Sequence, residues 1–128
     1  MRWYLDTSAA MKLMVEEAES AALAAALDEV QPDLVGCLLL ETEARRAAHR
    51  STDLTQEHVT QLLDGVELYE APPSLFREAG LFPGAALRSL DALHLAAAVR
   101  LGADAVVTYD ARMATSARGL GLAVVAPG

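Results

Sequence analysis

Short apolar runs alternate with helical segments along this chain, and that alternation constrains the fold more than any other feature. Arg2 to Asp6, Leu34 to Gly36, Val66 to Glu70, Ala105 to Thr108 and Leu122 to Val125 have the length and composition of strands. Between them, apolar residues recur at helical spacing over Thr7 to Glu17, Glu19 to Leu27, Leu38 to Arg50, Thr55 to Leu63 and Ser89 to Leu101. Asp110 opens a last helix that Gly119 and Gly121 close. Strands separated by helices run parallel, because parallel neighbours need a crossover connection, and such a sheet is covered by helices on both faces. The expected fold is α/β: a doubly wound, three-layer α/β/α sandwich around a central parallel sheet. Pro72 and Pro73 are expected to stop regular structure, with one or two turns at Ser74 to Ala79 and a soft stretch over Ala71 to Arg88. Ser89 is expected to cap the helix it begins. No repeat, low-complexity tract or linker divides the 128 residues, so one domain over 1–128 is expected.

Composition removes several function classes. No run of about 18 apolar residues is present and no basic-then-apolar leader opens the chain, so a soluble, cytoplasmic protein without a membrane role is expected. A lone cysteine, Cys37, offers neither an internal disulfide nor a cysteine zinc site, and VGCLLL is the setting of a small buried residue. The net charge of −8 argues against broad electrostatic attraction to nucleic acid, so any such role needs a local basic patch or bridging cations.

Four acids stand at addresses where acids are costly. Asp6 and Asp110 follow apolar strands and precede helices, which aims both at the crevice beyond the carboxyl ends of a parallel sheet. Asp104 precedes the strand that Asp110 follows; at about 3.3 Å per residue it falls at the opposite sheet edge and is excluded. Glu43 shares a helical stripe with Leu39, Leu40 and Ala47, which turns it inward. Glu41 instead faces Arg45 at i,i+4, the favourable order for an exposed pair. Asp91 shares a face with Leu95, Ala98 and Val99. Each of Asp6, Asp91 and Asp110 has a plain alternative as a helix cap or dipole partner. Glu43 has none, because a buried glutamate within a helix needs a partner and its own helix supplies none on that face.

Converged carboxylates repel: two unit charges about 4 Å apart oppose each other by roughly 4 kcal/mol at an effective dielectric near 20. A shared cation relieves this. An all-oxygen set with no cysteine and no spaced histidine pair favours Mg²⁺ or Mn²⁺ over zinc. His49, His58 and His94 are scattered, and His94, three residues after Asp91, is read as a helix-packing histidine rather than a member of the site.

YLDTSA, LLLETEARRAAHR, SLDALHLAAA and VVTYDARMATSARGLGL together resemble, in order and over nearly the whole chain, the four acidic motifs of the PIN-domain family, specifically the VapC-type toxins of toxin–antitoxin pairs. Only Ser51 to Arg88 lacks a matching signature. The resemblance implies a Mg²⁺- or Mn²⁺-dependent endoribonuclease acting on structured RNA such as tRNA, with Asp6, Glu43, Asp91 and Asp110 as catalytic metal ligands. It sets Thr7 or Ser8 beside the first acid and Thr108 before the fourth, as contacts for water or phosphate. Arg45 and Arg46 follow Glu43 and are preferred as contacts to RNA phosphate or to the acidic end of an antitoxin over mere solvation of the helix. Glu41 beside them is an added acid that weakens local RNA attraction. A VapB-type antitoxin with its tail in the cleft is implied as partner, with a homodimer or toxin–antitoxin hetero-oligomer as the assembly. Two rivals stand beside this reading. Another Mg²⁺-dependent phosphohydrolase of aspartyl-nucleophile type would carry a second acid where Ser8 stands. A non-catalytic PIN-like binding module would have no need of all four acids.

Overall fold

A computed structural model describes Met1–Gly128. Strands β1 (Arg2–Leu5), β2 (Asp33–Cys37), β3 (Glu67–Tyr69), β4 (Ala105–Val107) and β5 (Ala123–Val125) form one parallel sheet in the order β3-β2-β1-β4-β5. The helices are α1 (Thr7–Met14), α2 (Ser20–Val30), α3 (Leu39–Ala48), α4 (Gln56–Asp64), α5 (Pro73–Gly80), α6 (Ser89–Arg100) and α7 (Ala111–Gly119).

Side-chain alternation along the strands builds a core on each face of the sheet. Tyr4, Val35, Cys37 and Val106 point to the layer of α5, α6 and α7, where they meet Leu75, Leu95 and Met113. Trp3, Leu5, Ala105 and Val107 point the other way, to Ala9, Leu23, Leu40 and Val59 of α1 to α4. This is the doubly wound sandwich the alternation of elements predicts. Cys37 is buried and unpaired, as expected. No helix is long and apolar enough to cross a membrane.

Three local expectations fail, each for a physical reason. Pro73 does not stop regular structure but opens α5, with Pro72 as its extended cap residue; a first helical position has no N–H to lose and needs the φ that proline already has. Ser89 is the first residue of α6 rather than its cap, which is Arg88 with no capping side chain. Val99 is exposed although Leu95 and Ala98 are buried. Every residue from Ala92 to Ala98 is buried, so α6 is an enclosed helix on which spacing does not define a single inward stripe.

The strand order places the site. From β1 the chain winds outward through β2 and β3, whereas β4 and β5 extend the sheet on the other side of β1. Between β1 and β4 the winding reverses, and a crevice opens above their carboxyl ends. Asp6 follows β1 directly, and Thr108 to Asp110 follow β4.

Candidate active site

Backbone needs at the crevice shape the side chains within it. Asp6 is the cap residue of α1, and its Oδ1 accepts hydrogen bonds from the Ala9 amide (2.9 Å) and the Ser8 hydroxyl (2.7 Å). Its Oδ2 accepts from the Thr108 hydroxyl, so the two switch-point strands are joined through one carboxylate. Thr108 in turn accepts from the Asp110 amide (3.1 Å), and Ser8 from the Tyr109 amide (2.9 Å). Asp110 caps α7 by accepting at Oδ1 from the amides of Arg112 (2.9 Å) and Met113 (3.0 Å).

Glu43 arrives from α3. Its Oε1 accepts from the Thr7 hydroxyl (2.9 Å) and from Nε2 of His94 (2.6 Å). Asp91, in the first turn of α6, is half-buried. Asp6, Thr7, Ser8, Glu43, Asp91, His94 and Asp110 line one cavity of about 150 Å³ that contains no apolar residue.

The carboxylates sense one another. Burial pushes the Asp91 carboxyl above its ordinary value, and the charges of Asp110, Asp6 and Glu43 push it further against the pull of His94. Burial also raises Asp6, although the hydrogen bonds from Thr108, Ala9 and Ser8 oppose it. Burial would raise Glu43, but the His94 contact and the Thr7 hydroxyl outweigh it and hold that carboxyl below its usual value.

The donor set suits a hard divalent cation. Thr7 and His94 both bind Oε1 of Glu43 and leave Oε2 without a hydrogen-bond partner; the two capping amides both bind Oδ1 of Asp110 and leave Oδ2 likewise free. Asp91 accepts no side-chain hydrogen bond at all, so each of the three offers at least one uncommitted oxygen. Such oxygens favour Mg²⁺ or Mn²⁺. No three of these acids are close enough to grip one ion as they stand.

Two residues depart from the sequence reading. His94 packs in the core as expected, with 2% of its surface exposed. It also lines the cavity and binds Glu43, which the spacing from Asp91 hinted at and the preference for a packing role set aside. Arg45 lies away from the site. It pairs with Glu41 (2.8 Å) as predicted, and also reaches Gln56 (3.2 Å) and Thr60 (3.2 Å), fastening α3 to α4. Arg46 instead lines a groove of about 610 Å³ with Arg50, Ser51 and Thr42, and this groove shares Thr7 and Glu43 with the acidic cavity.

Comparison with known proteins gives the family. The PIN domain family profile matches residues 3–118. Ribonuclease VapC35 of Mycobacterium tuberculosis is 40% identical over 130 residues, covering 98% of this chain and 96% of the relative. Ribonuclease VapC46 of the same organism is 39% identical, covering 97% of this chain and 96% of the relative. Among solved structures, VapBC2 from Rickettsia felis bound to a promoter DNA fragment aligns with a TM-score of 0.73 at 14% identity, covering all of both chains. The sarcin–ricin loop cleaving toxin VapC20 of Mycobacterium tuberculosis also aligns with a TM-score of 0.73 at 14% identity, over 89% of this chain and 94% of the other. The chain belongs to the PIN-domain family, and within it to the VapC-type toxins.

Proposed function

We propose that the protein is a metal-dependent endoribonuclease, the toxin of a toxin–antitoxin pair, with residues 1–128 acting as one catalytic unit in the cytoplasm. The observation that carries this is the single polar cavity that gathers Asp6, Glu43, Asp91 and Asp110 on a PIN fold. The ribonuclease names of its relatives support the same reaction class.

Asp91, Oε2 of Glu43 and Oδ2 of Asp110 would hold Mg²⁺ or Mn²⁺, with Asp6 fixed beside them by Ser8, Ala9 and Thr108. A divalent cation held there supplies charge that lowers the pKa of a water nucleophile and neutralises charge developing on the phosphate. The hydroxyls of Ser8 and Thr108 orient Asp6 and that of Thr7 orients Glu43. Thr7 and Ser8 line the cavity, where they would meet water or a phosphate oxygen, whereas Thr108, expected beside them, is buried against Asp6 and does not line it. Splayed strands and loops of structured RNA such as tRNA fit a small cavity that a duplex cannot enter. A protein described as cleaving the sarcin–ricin loop shares the fold, which agrees with loops as targets. Incubating the purified protein with labelled total RNA in EDTA, Mg²⁺ and Mn²⁺ tests the assignment: cleavage is expected with either ion and none in EDTA. Cleavage that persists in EDTA would sink it.

The RNA strand approaches along α3. Arg46 stands one helical turn from Glu43 on the same side, about 4.5 Å along the axis, and Arg50 continues the line past the helix end. Both are exposed and neither makes an ion pair, whereas Arg45 is engaged with Glu41. Replacing Arg46 and Arg50 together with Gln is expected to weaken single-stranded RNA binding and to reduce the slope of log K against log salt by about 1.4, at about 0.7 per phosphate contact. Arg45→Gln is expected to leave that slope unchanged. Fluorescence anisotropy with an RNA oligonucleotide over a range of KCl concentrations reads both.

A nuclease aimed at cellular RNA needs restraint, and a VapB-type antitoxin is the partner proposed for it. The VapBC2 assembly of like fold supports such pairing. A basic antitoxin side chain set among the four acids would block the cavity electrostatically. Toxin–antitoxin hetero-oligomers or a homodimer are the assemblies proposed.

A further inference from the structure

Resting on the metal-site assignment above, we infer that His94 and Tyr4 are positioning residues that determine which oxygen of Glu43 faces the ion. A buried chain of hydrogen bonds runs from the Tyr4 hydroxyl to Nδ1 of His94 (2.7 Å), and from Nε2 of His94 to Oε1 of Glu43 (2.6 Å). Tyr4 is fully buried, and its ring meets the imidazole edge-on at 5.7 Å between centroids.

Donor chemistry assigns the protons. An ionised carboxylate only accepts, so Nε2 carries the hydrogen that Glu43 receives. When the ring is neutral, Nδ1 has the lone pair and accepts from the Tyr4 O–H; when it is an imidazolium, Nδ1–H donates to the Tyr4 oxygen, and either form presents Nε2–H to Glu43. In the neutral form Tyr4 selects the tautomer that can hold Glu43. Both ring nitrogens are committed, so His94 lines the cavity without a lone pair to offer an ion. Its effect passes through Glu43: with the Thr7 hydroxyl it occupies Oε1 and leaves Oε2 as the oxygen without a hydrogen-bond partner. The sequence sets this up in two places. Alternation along β1 sends Tyr4 to the α6 side of the sheet, and the i,i+3 spacing puts His94 beside Asp91. A buried imidazole needs partners for its nitrogens in any role, so metal affinity, and not the contact itself, separates positioning from packing.

Groups that orient metal-binding carboxylates typically change metal affinity about ten- to a hundredfold when removed. Isothermal titration of Mn²⁺ into metal-free protein tests this without any RNA, using His94→Leu, His94→Gln and Tyr4→Phe. His94→Leu is expected to lose affinity in that range, and His94→Gln, whose side-chain amide can donate toward Oε1, to recover most of it. Tyr4→Phe keeps the ring and frees the tautomer, so a smaller loss is expected. In RNA cleavage at saturating metal, His94→Leu is expected to lower kcat with KM unchanged. Melting in EDTA separates a packing role, which lowers stability and leaves the Mn²⁺ affinity of the folded protein at the wild-type value. That outcome overturns the inference, as does equal affinity loss for Leu and Gln. Should His94→Leu fail to fold, wild-type Mn²⁺ affinity in both Tyr4→Phe and His94→Gln overturns it, and weakened binding in Tyr4→Phe sustains it. A wild-type protein that binds no Mn²⁺ removes the metal-site assignment and this inference with it, whereas unchanged binding in the variants removes the inference alone.

Discussion

Asp91→Asn will cleave RNA at least about a hundredfold more slowly than the wild type in saturating Mg²⁺ or Mn²⁺, a loss of about 3 kcal/mol in barrier stabilisation. Asp91 is the most informative of the four acids because it does the least for the fold. Asp6 caps α1 and joins β1 to β4 through Thr108, Asp110 caps α7, and Glu43 binds Thr7 and His94. Replacing any of those three mixes lost chemistry with lost architecture. Asp91 accepts no side-chain hydrogen bond and stands in the first turn of α6; removing its charge gives up a helix-dipole contact of about 0.3–1 kcal/mol but also relieves the burial and repulsion that raise its carboxyl. The Asn side chain keeps its size. Initial rates on labelled RNA give the result, with Asp104→Asn as the control. Asp104 lies at the far edge of the sheet, where its Oδ2 accepts from the Arg2 amide (2.8 Å). An Asp91→Asn enzyme within a few-fold of wild type would mean that Asp91 binds no catalytic ion.

The same distribution of roles decides what was legible in the sequence. Strand and helix alternation predicts the sheet, because short apolar runs between helical segments leave few other ways to pair. Sheet direction then predicts the crevice: Asp6 and Asp110 line it and Asp104 does not, since residues on either side of a strand are carried to opposite edges. The separation of Glu41 from Glu43 follows from helical phase alone. Failures occurred where phase carries no information. In α6, burial on every side erases the stripe, so phase wrongly turns Val99 inward and gives His94 a packing role alone. Tyr4, whose hydroxyl gives His94 its second role, lies ninety positions away, and no local pattern couples the two. Arg45 and Arg46 are adjacent and chemically alike. Only the position of α4, which captures Arg45 through Gln56 and Thr60, separates a structural arginine from one that lines the groove.

Removing the metal is expected to reverse the stability order of wild type and Asp91→Asn. In EDTA the wild type holds Asp91 against burial and against the charges of Asp110, Asp6 and Glu43, and its carboxyl sits above the ordinary value. The folded state therefore binds this proton more tightly than the unfolded chain does. Between the ordinary carboxylate value and the raised one, the native state carries more protons than the unfolded state. The Asp91 contribution to stability thus declines as pH rises through that window and stays unfavourable at neutral pH. Asn carries no charge, so Asp91→Asn will melt higher than wild type in EDTA near neutrality, and the difference will shrink as pH falls toward the ordinary carboxylate range. Adding Mn²⁺ inverts the order. At about a hundred times its Kd a ligand that binds only the folded state contributes about 2.7 kcal/mol. At several degrees per kcal/mol this raises the wild-type midpoint by on the order of 10 °C. The variant, short of an uncommitted carboxylate, will gain far less. Thermal melts in EDTA and in Mn²⁺ read both halves of the crossing. A variant that melts well below wild type in EDTA would show that Asp91 stabilises the fold itself, and parallel gains on adding Mn²⁺ would show that the ion binds elsewhere.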